Sequence, residues 1–92
     1  MLKIRFTNRM KRDVKLIKKR GKDLSKLEYV LDVLSRTQTL SDKYKDHALR
    51  GEWKDFRECH IEPDWLLIYQ IEENELIVYA LATGSHADLF DM

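Results

Sequence analysis

The stretch Trp65-Leu66-Leu67-Ile68-Tyr69-Gln70-Ile71 is almost continuously apolar. Because successive side chains of a strand point to opposite faces, such a run predicts a strand that is buried on both sides. Glu62-Pro63-Asp64 before it and Glu72-Glu73-Asn74 after it are turn-forming sequences. Residues 53–61 and 76–82 beyond these turns contain aromatic and branched side chains, which predicts one strand on each side. The second half of the chain therefore predicts a sheet of consecutive strands.

The first half of the chain predicts one strand and two helices. Residues 2–6 alternate between apolar and basic side chains, as a strand does. Apolar residues at helical spacing predict an amphipathic helix over about residues 9–20, with Gly21 just past its end. A second helix is predicted to begin at Ser25, because Ser25-Lys26-Leu27-Glu28 fits a capping box. Residues 37–51 are polar and aperiodic, which indicates a loop of the length often associated with function.

The order of these elements is β-α-α-β-β-β with a short helical turn over residues 86–90, which predicts an α+β fold. In this fold two N-terminal helices pack on one face of a small, largely antiparallel sheet. The chain of 92 residues has room for one domain, predicted over residues 1–92, and its 43% hydrophobic content suffices for one modest core.

Composition also restricts where the protein acts. The apolar runs are far shorter than the ~18 residues of a membrane span, and no signal peptide is expected after Met1. The single cysteine, Cys59, excludes an intrachain disulfide framework and suits a reducing compartment. We therefore expect a cytoplasmic protein without a membrane partner.

Charge is distributed unevenly along the chain, although the formal net charge is only +1. Residues 1–26 carry eleven basic and two acidic side chains, or +9, and the other 66 carry six basic and fourteen acidic ones, or −8. Such a basic segment predicts a polyanionic partner such as nucleic acid, bound through its phosphates. The residues expected to contact RNA or the ribosome are Arg9, Lys11, Arg12, Lys15, Lys18, Lys19, Arg20 and Lys22.

Three histidines, His47, His60 and His86, lie where predicted loops leave or join the sheet. An imidazole, with a pKa of about 6.5, both gives and takes protons near neutrality. Each one alone is also explained as a solvated loop residue. A zinc site of His60, Asp64 and His86 is another alternative, although no paired HxxxH or CxxC spacing supports it. Cys59 neighbours His60 on a predicted strand, so the two should point to opposite faces, which favours a structural thiol over a nucleophile.

The two tryptophans carry different predictions. Trp53 is interpreted as a core residue, because aromatic residues in strands usually pack inside. Trp65 directly follows Asp64 at a turn, so both a core role and a site role are open for it.

Three elements of the second half resemble the signature of one toxin family. They are Asp46-His47-x-Leu49-x-Gly51-x-Trp53, His60-x-Glu62-Pro63-Asp64-Trp65 and Gly84-Ser85-His86-x-x-Leu89-Phe90. Together they are similar to the YafQ branch of the RelE/ParE superfamily, the toxins of type II toxin–antitoxin modules. The resemblance covers essentially the whole chain, since both predicted helices also fit.

This resemblance implies a ribosome-dependent mRNA endoribonuclease that cuts the codon in the ribosomal A site without a metal or another cofactor. The ribose 2′-oxygen would attack the adjacent phosphate and expel the 5′-oxygen. His47 or His60 would be the general base, and His86 the general acid. The carboxylate would orient or tune a histidine, and the two aromatic residues would position the RNA. The implied site residues are His47, His60, Asp64, Trp65, His86 and Phe90.

Position 82 departs from the family pattern. Relatives commonly carry an arginine immediately before the Thr-Gly element, where it would neutralise charge on the phosphate, but this chain has Ala82. No cation in the run Tyr79-Ala80-Leu81-Ala82-Thr83 replaces it. Loss of such a contact costs on the order of 100-fold in rate. The alanine marks either a weakened natural member or an introduced detoxifying change, and the second interpretation is slightly favoured.

The resemblance also implies partners. These are a small, partly disordered cognate antitoxin, the 70S ribosome with its rRNA and mRNA, and operator DNA only through the antitoxin. An alternative function is a non-catalytic toxin-fold module that acts with its antitoxin as a co-repressor on operator DNA. Gyrase inhibition of the ParE type is a third possibility, but ParE relatives generally lack this histidine set. His47, His60 and His86 as a group discriminate among these functions, because a binding module has no need of them.

Overall fold

The computed structural model describes residues 1–90. Its secondary structure follows the predicted order, with one additional short strand and two 3-10 turns, Asp42–Tyr44 and Gly51–Trp53, in the segment between the helices and the long strands. The elements are β1 (Lys3–Phe6), α1 (Asn8–Lys19), α2 (Leu24–Ser35), β2 (His47–Ala48), β3 (Arg57–Glu62), β4 (Trp65–Glu72), β5 (Ile77–Gly84) and α3 (His86–Phe90).

The five strands form one sheet in the order β1-β5-β4-β3-β2. β1 runs parallel to β5, and the other three pairings are antiparallel. The predicted α+β fold with a largely antiparallel sheet and a short C-terminal helix is therefore confirmed. The predicted loop over residues 37–51 is only partly a loop, because His47–Ala48 pairs with β3 as the edge strand β2.

β4 is buried on both faces, as its apolar run predicts. Trp65, Leu67 and Tyr69 belong to the main core, which they share with apolar residues of α1 and α2. Leu66 and Ile68 point the other way and form a second, smaller cluster that Leu89 of α3 covers. Each face of the central strand thus has its own cover, and the two covers come from opposite ends of the chain.

A bulge in β5 changes which side chains face the helices. Tyr69 pairs with Ala80 and Ile68 pairs with Ala82, so Leu81 is an extra residue on this strand. Ala80 lies in the main core, whereas Ala82 lies in the second cluster on the opposite face. In a regular strand, residues two positions apart such as Ala80 and Ala82 share one face, so the bulge is what places these two alanines on opposite faces.

The two helices begin at capping side chains. The Thr7 hydroxyl oxygen accepts a hydrogen bond from the Met10 backbone N–H at 3.0 Å and donates one to the Leu81 carbonyl at 2.7 Å, so it joins α1 to the bulge. Gly21 follows α1 with a positive φ of 80°, as predicted. The capping box predicted at Ser25 is wrong. Asp23 is the N-cap of α2, because its carboxylate accepts from both the backbone N–H and the hydroxyl of Ser25.

Thr83 joins both strands of the central pair to α1. Its hydroxyl donates to the Leu66 carbonyl at 2.6 Å and accepts from the Trp65 indole N–H at 2.9 Å. Its backbone N–H donates to the Asp13 carboxylate at 3.1 Å. The side chains of Thr83 and Trp65 are both buried, so every one of these polar groups depends on a protein partner.

We expect Thr83→Val to lower the free energy of unfolding by about 1–3 kcal/mol, because the buried indole N–H and the Leu66 carbonyl lose their partner while side-chain volume is retained. Urea denaturation followed by tryptophan fluorescence measures this. Thr39→Val, at an exposed position, is the matched control and should change the free energy by less than about 0.5 kcal/mol. Equal losses in the two variants would contradict the assigned role of the Thr83 hydroxyl.

Candidate active site

The sheet face turned away from α1 and α2, here called the open face, carries the chemically active side chains. Residues paired across neighbouring strands lie side by side on the same face, so the pairings define two rows. The first row crosses four strands and the second crosses three. In strand order from β2 the first row is His47, Glu58, Ile68 and Ala82, and from β3 the second row is His60, Leu66 and Gly84.

A carboxylate that the sequence analysis did not single out lies between two of the histidines. Glu58 has only 6% of its surface exposed. Its Oε1 atom is 3.4 Å from His60 Nε2 and 3.7 Å from His47 Nε2. The spacing Glu58-x-His60 on a predicted strand was the available signal, because residues two apart on a strand share a face. The buried carboxylate therefore lies between the Nε2 atoms of the two imidazoles.

The position of His47 depends on the segment just before β2. Lys45 adopts the left-handed conformation with φ of 49°, and its carbonyl accepts a hydrogen bond from His47 Nδ1 at 2.6 Å. Because a carbonyl only accepts, Nδ1 carries the hydrogen and Nε2 is directed toward Glu58. Asp46 fixes this segment to the sheet by accepting from the Tyr69 hydroxyl at 2.5 Å.

His86 and Asp64 form a second histidine–carboxylate pair. Asp64 lies in the turn between β3 and β4, and its Oδ1 atom accepts from both the backbone N–H of His86 at 2.9 Å and the ring Nδ1 at 2.7 Å. These two hydrogen bonds lower the pKa of the Asp64 carboxyl from its usual value. The carboxylate therefore holds the hydrogen of the imidazole on Nδ1 and leaves Nε2 directed elsewhere.

The two pairs meet at the mouth of the open face. The rings of His60 and His86 lie edge to face with their centroids 5.6 Å apart. The structure thus brings together His47, His60, Asp64 and His86, and it adds Glu58 to them. His60, with Glu58 near its Nε2 atom, faces His86, with Asp64 on its Nδ1 atom. This arrangement suits proton transfer in both directions.

α3, which carries His86, is tied to α1 by a charged contact. Arg20 donates to both carboxylate oxygens of Asp88, at 2.5 and 3.1 Å. The same carboxylate accepts from the Ser85 backbone N–H at 2.9 Å. Gly84 permits this close approach, because a Cβ at that position would lie 2.8 Å from Asp88 Oδ2. The Arg20 guanidinium and the Ser85 N–H hold the pKa of the Asp88 carboxyl well below its usual range.

The structure decides the roles of the two tryptophans. Trp65 has no exposed surface and packs in the main core on the side of the helices, so the expectation that it positions RNA is wrong. Trp53 is partly exposed, and its ring lies 6.4 Å from that of Phe90 and 5.7 Å from that of Phe56. The expectation of a core Trp53 is therefore also wrong. The partly buried Phe90 borders the second cluster, where it and Trp53 form an aromatic edge beside the open face.

Ala82 lies under the second cluster. Only 4% of its surface is exposed, and it packs with Leu66, Ile68 and Leu89. It belongs to the same row as Glu58, two strands away, or about 10 Å at the usual ~4.8 Å between strands. Ile68 lies between this position and Glu58 in the row.

The predicted basic surface is smaller than the sequence suggests. Arg9 contacts Asp13 and the Asp88 carbonyl, Arg20 binds Asp88, and Lys22 binds Glu62 at 2.8 Å. Those three side chains are engaged within the chain. The other five are exposed and form no ion pair within residues 1–90: Lys11, Arg12, Lys15, Lys18 and Lys19.

Neither alternative chemistry proposed for this region fits the described residues. Cys59 points into the main core, opposite to His60, and burial raises the pKa of its thiol to about 12, so the thiol is not a nucleophile near neutrality. No group of three or more His, Cys, Asp or Glu side chains within residues 1–90 is arranged to hold a metal ion. The donor set of His60, Asp64 and His86 therefore does not fit zinc. In the same range, no helix is long and apolar enough to cross a membrane.

The fold and the sequence match known toxins over nearly the full chain. A family described as "Bacterial toxin of type II toxin-antitoxin system, YafQ" matches residues 2–91. The mRNA interferase toxin YafQ of Escherichia coli strain K12 is 43% identical over 88 residues, which are 95% of this chain and 94% of that protein.

Two solved structures show the same similarity. A metal-bound toxin from Helicobacter pylori has a TM-score of 0.93 and 46% identity, covering 98% of this chain and 100% of that one. A chain of the E. coli DinJ–YafQ complex has a TM-score of 0.87 and 41% identity, covering 98% of this chain and 99% of that one.

The two-helix α+β fold with its open, histidine-bearing sheet face defines a toxin of the RelE/ParE type. Within this class, the chain belongs to the YafQ family of toxins from bacterial type II toxin–antitoxin systems.

The contact between Arg20 and Asp88 makes part of the stability dependent on pH. Because the pKa of this carboxyl is lower in the folded state, its contribution is present above the unfolded pKa of about 3.9 and is lost as the pH falls further. We expect Asp88→Asn to be less stable than the parent at pH 7, with the difference shrinking below about pH 4. Thermal unfolding between pH 7 and pH 2.5 measures this.

Asp55→Asn is the control for that series, because the exposed Asp55 forms no ion pair within residues 1–90. A stability difference for Asp88→Asn that stays constant over the whole pH range would show that the carboxylate charge is not responsible.

Proposed function

We propose that this toxin is an mRNA interferase, an endoribonuclease that cuts mRNA in the ribosomal A site and thereby inhibits translation. The observation that carries the proposal is the pair of opposed histidines, His60 and His86, each with its own carboxylate and with rings 5.6 Å apart. The printed name of the E. coli relative, an mRNA interferase toxin, supports the same reaction class.

Cleavage of an RNA phosphodiester through the 2′-hydroxyl requires two proton transfers. A base removes the proton of the 2′-hydroxyl while its oxygen forms a bond to phosphorus, and an acid gives a proton to the 5′-oxygen as its bond to phosphorus breaks. The products are a 2′,3′-cyclic phosphate and a free 5′-hydroxyl. Two imidazoles in opposite protonation states suffice for this sequence, with a typical contribution of ~100- to 10,000-fold in rate. No metal-dependent step is needed.

We assign His86 as the general acid. Its Nδ1–H donates to Asp64, so the second proton of the doubly protonated ring lies on Nε2. The proton on Nε2 is then available to the leaving oxygen. Asp64 acts as a positioning residue, since it also accepts from the backbone N–H of His86 and so fixes both the ring and the start of α3.

We assign His60 rather than His47 as the general base. Both ring nitrogens of His47 already have neighbours, the Lys45 carbonyl on Nδ1 and Glu58 near Nε2. His60 has Glu58 near Nε2, and Nδ1 remains to accept a proton from the substrate. His47 lies on the other side of Glu58, with its Nε2 atom 3.7 Å from the same carboxylate oxygen.

The proposed partners follow from charge. The five free cations of α1 suit docking on ribosomal RNA, which is bound through phosphates. A small cognate antitoxin is proposed to hold the toxin inactive, as the E. coli DinJ–YafQ complex suggests, and operator DNA is contacted only through that antitoxin. Ribosome docking also places the protein in the cytoplasm.

We expect the double variant His60→Ala plus His86→Ala to lose cleavage of translated mRNA, because neither proton transfer retains its group. Primer extension on a message translated in a cell-free system measures this, with Lys3→Ala plus Arg5→Ala on β1 as the control. If the double variant arrested translation as strongly as the parent, the catalytic assignment would fail and the co-repressor alternative would gain support. Thermal unfolding of each variant verifies that it folds.

We expect Ala82→Arg to increase cleavage by about 100-fold, because a cation at this position would meet the charge that develops on the phosphate. Ala82→Leu adds comparable bulk without charge and should give no increase. The same primer-extension assay compares both with the parent. An Ala82→Arg protein that folds yet cuts no faster would show that position 82 does not limit this chain.

A further inference from the structure

A cleft outside the catalytic group opens beside His60. It has a volume of about 580 Å³ and lies between the start of α2, the turn Asp42–Tyr44 and the end of β3. The side chains that matter for its chemistry are Lys26, Tyr29, Lys43, Tyr44, Lys45 and His60. Apart from His60 and the backbone carbonyl of Lys45, none of these groups has a role in the reaction described above.

Two tyrosines form an aromatic wall of this cleft. The rings of Tyr29 and Tyr44 are stacked, with centroids 6.2 Å apart and planes inclined by 30°. Tyr44 packs against the main core and is held there, whereas Tyr29 is 56% exposed. A large aromatic ring that is exposed on a helix and supported by a second ring offers a flat apolar surface on which a base can stack.

The remaining wall is cationic. Lys26 is paired with Glu62 at 2.8 Å, and Lys22 binds the other oxygen of the same carboxylate, so this acidic group is neutralised. Lys43 and Lys45 form no ion pair within residues 1–90. The ammonium group of Lys43 lies 5.1 Å from the centroid of the Tyr44 ring. Two free ammonium groups beside an aromatic wall suit a ligand that joins a phosphate to a planar ring.

Two residues link the cleft to the catalytic group. His60 lines it directly, and Lys45, which also lines it, holds His47 through its carbonyl. A chain of nucleotides whose scissile phosphate lies between His60 and His86 would therefore have a neighbouring nucleotide within reach of the cleft.

We propose that the cleft is a nucleotide subsite for the RNA substrate, which takes the nucleotide next to the scissile phosphate. Its base stacks on Tyr29, supported by Tyr44, and Lys43 and Lys45 contact its phosphate. The proposal rests on the proposed function, since it takes RNA as the substrate. A single-stranded RNA is favoured over an antitoxin segment because the aromatic wall and the free cations occur together.

A binding experiment with a single-stranded RNA hexanucleotide that carries one 2-aminopurine tests this without requiring cleavage. Fluorescence titration gives the Kd. We expect Tyr29→Leu to raise the Kd by about 5- to 100-fold, the usual effect of removing one stacking surface. Tyr79→Leu, which removes a tyrosine from β5 outside the cleft, is the matched control and should change the Kd by less than about twofold.

The salt dependence of the same titration tests the two lysines. Lys43→Gln plus Lys45→Gln should reduce the slope of log Kd against log salt by about 0.7, since the two lysines contact one phosphate and each neutralised phosphate of single-stranded RNA contributes about 0.7. Lys3→Gln plus Arg5→Gln on β1, at the opposite edge of the sheet, should leave the slope unchanged.

The outcomes separate this proposal from the proposed function. Unchanged RNA affinity in Tyr29→Leu, or no RNA binding by the parent, would overturn the subsite even if translated mRNA were cut. A fall in antitoxin affinity with unchanged RNA affinity would assign the cleft to the antitoxin and equally overturn it. Conversely, RNA binding that depends on Tyr29 in a protein that never cuts mRNA would refute the nuclease and support the cleft as an RNA site.

Discussion

The burial of β4 on both faces is the constraint on which the rest of the structure depends. A central strand with apolar side chains in both directions needs two covers, and each Leu or Ile left exposed would forfeit about 1.5–3 kcal/mol. α1 and α2 cover one side, where Leu67 is fully buried. On the other side, Leu66 and Ile68 are covered by the much smaller α3. Because that second cover is short, part of the sheet face stays open, and the open part holds the histidines.

The apolar residues beneath the open face and the charged residues along its edges act together. Leu66 and Ile68 exclude water from below, so the contacts of Glu58 with its histidines lie in a medium of lower dielectric constant than bulk water. The opposite rim is formed by Asp64 and His86, which belong to a turn and a short helix rather than to strands. The imidazoles of His60 and His86 therefore lie close together although they are about 25 residues apart in the chain. The contact of Asp88 with Arg20 keeps His86 in position.

Much of the fold could be predicted because it follows from periodicity. The double burial of β4, the strand and helix order and the turn at Pro63 all appear directly in the pattern of side chains. β2 could not be predicted, because a strand of two residues shows no alternation to detect. The N-cap at Asp23 was missed since both Asp23 and Ser25 are good capping residues, and only the geometry decides between them.

The resemblance named the histidines and Asp64 as site residues. Only the register of the sheet shows that these side chains lie close together. Glu58 was missed because a charged residue on a strand is ordinarily assumed to face solvent. The roles of the tryptophans were not decided by the sequence for a related reason, since a position next to a turn says little about burial. The residues next to Trp65 in the sequence cannot show that its indole N–H donates to Thr83, because that hydrogen bond joins residues 18 positions apart.

The bulge at Leu81 has a consequence for how sequence can vary in this protein. Upstream of it, even-numbered residues of β5 pack under the helices, and downstream of it Thr83 takes the helix side while Ala82 and Gly84 take the open face. The length of the paired parts of β5 is therefore constrained more strictly than the length at the bulge itself. Loss of Leu81 would leave Ala80 opposite Tyr69 and Ala82 opposite Ile68, whereas loss of a paired residue would interchange the interior and the exterior for the rest of the strand and turn His86 away from His60.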